Sequence, residues 1–231
     1  MNPLKVYIGW DRREIKAVEV AEASLRRRTS APLCVTHLKA DRLAEAGLLR
    51  RPTDRRGNIY DIHSGAFCST DFAISRFMVP LLAHSGWALF VDADVVFMDD
   101  VADLFLLTDN RFAVMVVPHN QHEAGTKMDG QVQYNYKRKN ESSVCLFNAD
   151  HPANKRLSLI DVNERPGRDL HNFYWLNEAE IGYLPSRWNW LVGVEDKPAN
   201  PALAHFTLGT PDMVPGSEHA DIWLSELAHE H

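Results

Sequence analysis

Short apolar runs alternate along most of this chain with segments whose apolar residues recur at helical spacing. Residues 5–8 (KVYI) read as a first strand, stopped by Gly9. Ile15, Val18, Ala21 and Leu25 share one face of a helix over 14–28. Residues 33–38 (LCVTHL) read as a second strand and 41–49 as a short helix. The stretch 50–58 carries Pro52, Gly57 and Arg50, Arg51, Arg55 and Arg56, and reads as a solvated loop. A helix over 70–84 turns Phe77, Met78, Leu81 and Leu82 inward, with Pro80 as a kink. Further strands are predicted at 87–94 (WALFVDAD), 112–118 (FAVMVVP) and 142–148 (SSVCLFN). A helix at 101–107 (VADLFLL) starts from a cap at Asp99 or Asp100. The last third holds aromatic turns at 171–176 and 187–193, a strand-like 202–207 (ALAHFT) and a closing helix over 220–229. This alternation predicts an α/β fold with a largely parallel sheet covered by helices on both faces.

Composition narrows the picture. The chain has 231 residues, 45% hydrophobic and 24% charged, which is ample material for a core. A net charge of -6 argues against a general nucleic-acid surface. The opening MNPLKVYIGWDRRE becomes charged too early for a secretory leader. The longest apolar runs, such as 113–117, fall far short of the roughly 20 residues of a membrane span. A soluble, cytoplasmic protein is the expectation, with peripheral membrane contact left open. Cys34, Cys68 and Cys145 are scattered and form no C-x-x-C, so reduced, buried thiols are expected.

The chemistry concentrates in residues 89–100, LFVDADVVFMDD, where an apolar run meets Asp92 and Asp94. Residues two apart on an extended strand point to the same side, so both carboxylates converge on one object. Ligand sites of parallel α/β sheets gather at the carboxyl ends of strands, where this pair falls. Two like charges raise each other's pKa unless a cation sits between them. Hard oxygen ligands suit Mg²⁺ or Mn²⁺, ions that usually bridge to substrate phosphates. A helix cap alone does not explain the pair, since Asp99 and Asp100 already supply one.

FVDADVVFMDDVADLF resembles the metal-binding segment of glycosyltransferase family 8, retaining nucleotide-sugar transferases of the GT-A fold. Other pieces match in order. Ser75-Arg76-Phe77 followed by Pro80-Leu81-Leu82 resembles the family's helix before the D-x-D strand. SSVCLFN resembles its region beside the donor sugar, LPSRWNWLVG (184–193) its aromatic turn, and HFTLGTP (205–211) its late His motif. The matches run from about residue 5 to 211. The likeness is to a divergent, bacterial-type branch. The late Gly stands four residues after the histidine instead of three, and Pro211 replaces the family's diphosphate-reaching Lys. Asp169-Leu170-His171 stands where the family has D-Q-D, and Glu141 and Ser143 occupy its N-x-G positions.

The resemblance implies one GT-A-like domain over 1–231, with a nucleotide-binding half at about 1–118 and an acceptor-side half at about 119–231. It implies metal ligation, Mn²⁺ or Mg²⁺, by Asp92, Asp94 and His205. Gly9, Trp10, Asp11, Arg76, Asp92, Ala93, Ser142 and Ser143 would meet the nucleotide sugar, with a UDP-sugar favoured. Asp169 and His171 are the catalytic candidates, and Trp188 and Asn189 the acceptor-binding ones, Trp190 extending the platform. The acceptor is an unknown carbohydrate or lipid-linked molecule. Two other readings remain. Asp92-Ala93-Asp94-Val95-Val96 also fits the nucleophile motif of haloacid-dehalogenase-like phosphatases, with Asp92 attacking. A nucleotide-sugar-binding protein without catalysis is the second.

Overall fold

The computed structural model describes residues 2–54, 59–61, 65–119 and 140–228. Arg55, Arg56 and the expected end of the closing helix at His229 lie outside the described residues. Five strands of a six-stranded sheet run one way: β1 (Leu4–Gly9), β2 (Leu33–Leu38), β5 (Trp87–Val91), β7 (Val114–Val116) and β9 (Ile181–Tyr183). Only β8 (Val144–Asn148) opposes them, in the order β2-β1-β5-β8-β7-β9. A second sheet sets β6 (Val95–Phe97) antiparallel to β11 (Leu203–His205), which runs parallel to β10 (Trp190–Leu191). A short hairpin of β3 (Tyr60–Asp61) and β4 (Ala66–Phe67) stands apart from both sheets. The helices are α1 (Ile15–Arg28), α2 (Ala40–Glu45), α3 (Val79–Leu82), α4 (Val101–Leu106), α5 (Leu159–Glu164), α6 (Gly167–His171) and α7 (Ala220–Ala228).

Ala88, Leu89, Phe90 and Val91 of β5 are all fully buried. Successive strand residues face opposite sides, so both faces of the sheet's centre are covered, as in a mostly parallel α/β sheet. Edge strand β2 instead alternates, which leaves Cys34 exposed rather than buried as its sequence suggested; Cys145 is buried as expected. α1 ends in Arg27 and Arg28, both paired with the buried Glu226 of α7. Asp100, not Asp99, caps α4 by accepting from the Ala102 amide at 2.8 Å.

Several expectations need correction. The helix over 70–84 is a 3-10 turn, Ser75–Met78, followed by the single turn of α3. Pro80 falls in the first turn of α3, where its missing N–H costs nothing, so it kinks no helix. The helix over 41–49 stops at Glu45, and Gly47 at φ +71° turns the chain away. Residues 171–176 are not wholly turn, since α6 runs to His171. Arg51 is not solvated: its guanidinium meets Asp61 at 3.2 Å and the Val162 carbonyl at 3.0 Å. β9 went unforeseen because three residues containing Gly182 make no pattern; the Phe112 ring occupies the space its Cβ would need.

Ile8 pairs with Val91 in parallel, so Gly9 and Asp92 leave the sheet at the same end. A Cβ on Gly9 would stand 2.6 Å from the Phe72 ring, which is itself 1% exposed. Gly9→Ala is therefore expected to destabilise the fold by about 1–3 kcal/mol through overpacking. Urea denaturation checks this, an unchanged midpoint being the contrary result.

Candidate metal and nucleotide corner

Asp92, Ala93 and Asp94 are not strand. They form the corner by which the chain leaves β5 in the large sheet and enters β6 in the small one. The convergence of the two carboxylates expected from strand alternation is produced by this corner instead. One ligand atom each from Asp92, Asp94 and His205 lie within 4.8 Å of one another. At an effective dielectric of about 20, two carboxylate charges at that spacing repel by about 3.5 kcal/mol. Something must offset this.

Part of the answer is Arg76. Its Nη1 stands 2.8 Å from Asp92 Oδ1 and donates to the Ser142 carbonyl at 2.9 Å. Phe72 and Phe90 lie under its guanidinium, at 5.4 and 5.0 Å. The other part is His205, whose Nε2 lies 3.2 Å from Asp94 Oδ1. His205 comes to the corner because β11 pairs antiparallel with β6, setting it opposite Val95. Among the described contacts, Arg76 offsets one of the two negative charges, and a proton on His205 or a metal cation would offset the other. Donors on one octahedral ion at about 2.1 Å each stand up to about 4.2 Å apart. Two carboxylates and an imidazole with the observed spacing fit Mn²⁺ or Mg²⁺ after a small closing movement.

Ser142 and Ser143 bind the corner from β8's side. The Asp92 amide donates to the Ser143 carbonyl at 2.9 Å. Ser142 Oγ lies 2.7 Å from His171 Nδ1, and that ring stands edge-on to Phe77 at 5.0 Å. Among the described contacts, His171 is linked to the acids through Ser142 and Arg76. Asp169, on the same helix, lies 3.5 Å from Arg168, and no described contact joins it to the corner. Leu170 between them is core.

At the end of β1, Asp11 is fully buried. Burial alone would raise its pKa, but hydrogen bonds from Arg13 and the Asp71 amide bring it below the usual carboxylate range. Trp10 is half-buried, with the Lys39 ammonium 4.7 Å over its ring.

The acceptor platform expected at 188–190 is not a surface. Trp188 is 1% exposed, Trp190 2% and Asn189 0%. The two indoles belong to the core, and the Asn189 amide works inside the protein. Its Oδ1 is 3.0 Å from His205 Nδ1, and its Nδ2 is 2.9 Å from both Ser143 Oγ and His119 Nε2. His119 Nδ1 in turn meets Glu195 Oε1 at 3.0 Å. Sequence reasoning missed His119 and Glu195; the one available signal was that His119 follows directly after the strand expected at 112–118.

Two outcomes are expected. Arg76→Ala leaves Asp92 without its described counter-ion and costs about 3 kcal/mol, the low end for a buried pair because Asp92 keeps 16% exposure. Denaturant titration reads it, and a loss under about 1 kcal/mol would contradict the pairing. The second concerns His171, whose pKa burial, then the Arg76 charge, pushes well below 6.5. Neutral when folded, the ring gains a proton on unfolding below about pH 6.5, so stability falls as pH drops, by up to about 1.4 kcal/mol per unit. His171→Gln should remove that slope; parallel stability–pH curves for variant and wild type would contradict it.

No family profile matches the chain. Its fold matches solved glycosyltransferases. Against the bifunctional glycosyltransferase WbbM, 98% of this chain aligns with 50% of that one at 15% identity and a TM-score of 0.62. For GlyE of Streptococcus pneumoniae the shares are 97% and 60%, at 15% identity and 0.60. For the galactosyltransferase LgtC, solved with donor and acceptor sugar analogues, they are 98% and 96%, at 16% and 0.61. This chain thus spans about half of WbbM and three fifths of GlyE, and the likeness establishes a GT-A-type α/β fold. In sequence it is 40% identical over 235 residues to Protein CDI of Arabidopsis thaliana, covering 98% of this chain and 86% of that protein. The chain belongs to the family of Protein CDI.

Proposed function

We propose that this protein is a metal-dependent glycosyltransferase that moves a hexose from a nucleotide sugar, a UDP-sugar by preference, to a carbohydrate or lipid-linked acceptor. The observation that carries the reading is the Asp92–Asp94–His205 cluster at the carboxyl ends of β1 and β5, on a fold like that of known glycosyltransferases. Together the 231 residues act as one transferase domain, with about 1–118 on the donor side and 119–231 on the acceptor side.

Asp92, Asp94 and His205 would hold Mn²⁺ or Mg²⁺, which when bound supplies Lewis-acid stabilisation of charge developing on a departing diphosphate. Arg76 pairs with Asp92 and aims its carboxylate at the corner. Gly9, Trp10 and Asp11 step off β1 beside it and suit the base and ribose, while Ala93, Ser142 and Ser143 line the donor side. Retention of configuration follows the family resemblance. A front-face route, in which the departing phosphate accepts the acceptor's proton, asks less of the chain than attack by Asp169, which no described contact brings to the corner. His171 then serves catalysis by positioning Ser142. A carboxylate clasped by a guanidinium is a poor nucleophile, so the Arg76–Asp92 pair speaks against the dehalogenase-like reading.

The test is nucleotide release from a panel of nucleotide sugars, with and without Mn²⁺. Release of UDP that needs Mn²⁺ and drops to background in Asp94→Ala is expected. Phosphate freed from phosphomonoesters with no nucleotide sugar consumed would overturn the proposal. So would tight UDP binding with no turnover in the presence of acceptors.

A further inference from the structure

The hydrogen bonds behind His205 admit one assignment of protons, and it starts from a group that can only accept. The Asn140 carbonyl receives Ser143 Oγ at 2.6 Å as well as the Ser143 amide at 3.2 Å. Asn140 holds this position in a left-handed conformation, φ +68°, which asparagine tolerates. A serine has one hydroxyl proton, and here the carbonyl takes it, so Ser143 Oγ can only accept from its other neighbour. That neighbour is the Asn189 amide, 2.9 Å away. The atom facing Ser143 must therefore be the NH₂ group, which fixes the amide's orientation.

Everything downstream follows. With Nδ2 toward Ser143, Oδ1 faces His205 Nδ1 at 3.0 Å and can only accept, so Nδ1 carries a proton. The second Asn189 N–H points to His119 Nε2 at 2.9 Å, which accepts it, so His119 bears its own proton on Nδ1, where Glu195 receives it at 3.0 Å. All of these contacts agree with a single proton arrangement. Asn189 and Ser143 are 0% and 3% exposed, so bulk water does not compete with it.

We propose that Asn189, keyed by Ser143 and the Asn140 carbonyl, is a positioning residue that holds a proton on His205 Nδ1 and leaves Nε2 as the nitrogen that faces the acid corner and is free to give up its proton to a cation. The proposal rests on the cation reading for its purpose, though not for its proton assignment. A neutral imidazole ligates a metal through an unprotonated nitrogen, and a fixed partner on the other nitrogen selects which one. Without this key the amide could reverse, putting an N–H against His205 Nδ1 and driving the ring's proton onto Nε2, where it blocks a metal.

The experiment pairs two readouts on the full chain. Long-range ¹⁵N–¹H spectra of the metal-free protein report whether His205 Nδ1 carries a proton. Calorimetric titration with Mn²⁺ alone reports affinity. Wild type should show Nδ1 protonated. Ser143→Ala, a small change that preserves the fold, should show a fraction of His205 with Nδ1 bare and a Mn²⁺ affinity lower by about 10- to 100-fold. Asn189→Leu should show the same in greater degree, whereas Ser143→Thr, which keeps the hydroxyl, should restore the wild-type pattern. A wild-type His205 with its sole proton on Nε2 would overturn the proposal. Unchanged spectra and affinity in both Ser143→Ala and Asn189→Leu would do so too. A wild type that shows the Nδ1 proton but takes up no Mn²⁺ sinks the cation reading alone and upholds the proton assignment.

Discussion

Two carboxylates held within a few ångströms of each other, at a corner where one sheet hands the chain to another, are the constraint around which this end of the molecule is arranged. Neither acid is fully solvated, so their repulsion is not dissipated by water. Arg76 and His205 reach the pair from different elements, one from the 3-10 turn before β5 and the other from β11. The main-chain amide of Asp92 is tied to Ser143, and the Asp94 carbonyl receives the Phe206 amide at 2.8 Å. Backbone bonds of this kind fix where the side chains start, and Arg76 and His205 fix where they end.

Behind each of these partners stands a second polar layer. Arg76 leans on the Ser142 carbonyl, and Ser142 on His171; His205 leans on Asn189, Ser143 and His119. Both layers meet at the adjacent pair Ser142 and Ser143, directly before β8. That is also the one strand of the large sheet that runs against the rest. Antiparallel pairing brings the beginning of β8 to the end of β5, so a serine pair far away in sequence reaches the acids. The opposing strand is thus what allows the large sheet to support the corner.

How much of this was legible beforehand depended on range. The first strand, the first helix and the acid pair follow from apolar periodicity and from an apolar run ending in acid. Arg76 and His205 stood out through resemblance to a known family, because nothing in their immediate neighbours marks them as partners of Asp92 and Asp94. The supporting layer was invisible: Asn189 reaches Ser143 across 46 positions and His119 across 70, and His119 reaches Glu195 across 76. Trp188 misled in the other direction. An indole beside a polar amide suits a sugar platform as well as it suits a core, and only the packing of the turn at 186–188 against β11 decides for the core. The helix before β5 was over-read for a similar reason, since apolar spacing fits a 3-10 turn followed by one α-turn almost as well as a continuous helix.

The central claim is that the acids at the corner share a divalent cation with His205. Anomalous diffraction from a crystal soaked in Mn²⁺ and UDP addresses it most directly. One strong anomalous peak is expected, bonded to a carboxylate oxygen of Asp92, one of Asp94 and Nε2 of His205, with the nucleotide's phosphates completing the shell. A peak located elsewhere, with the Asp94–His205 contact unchanged and no metal between them, would contradict it.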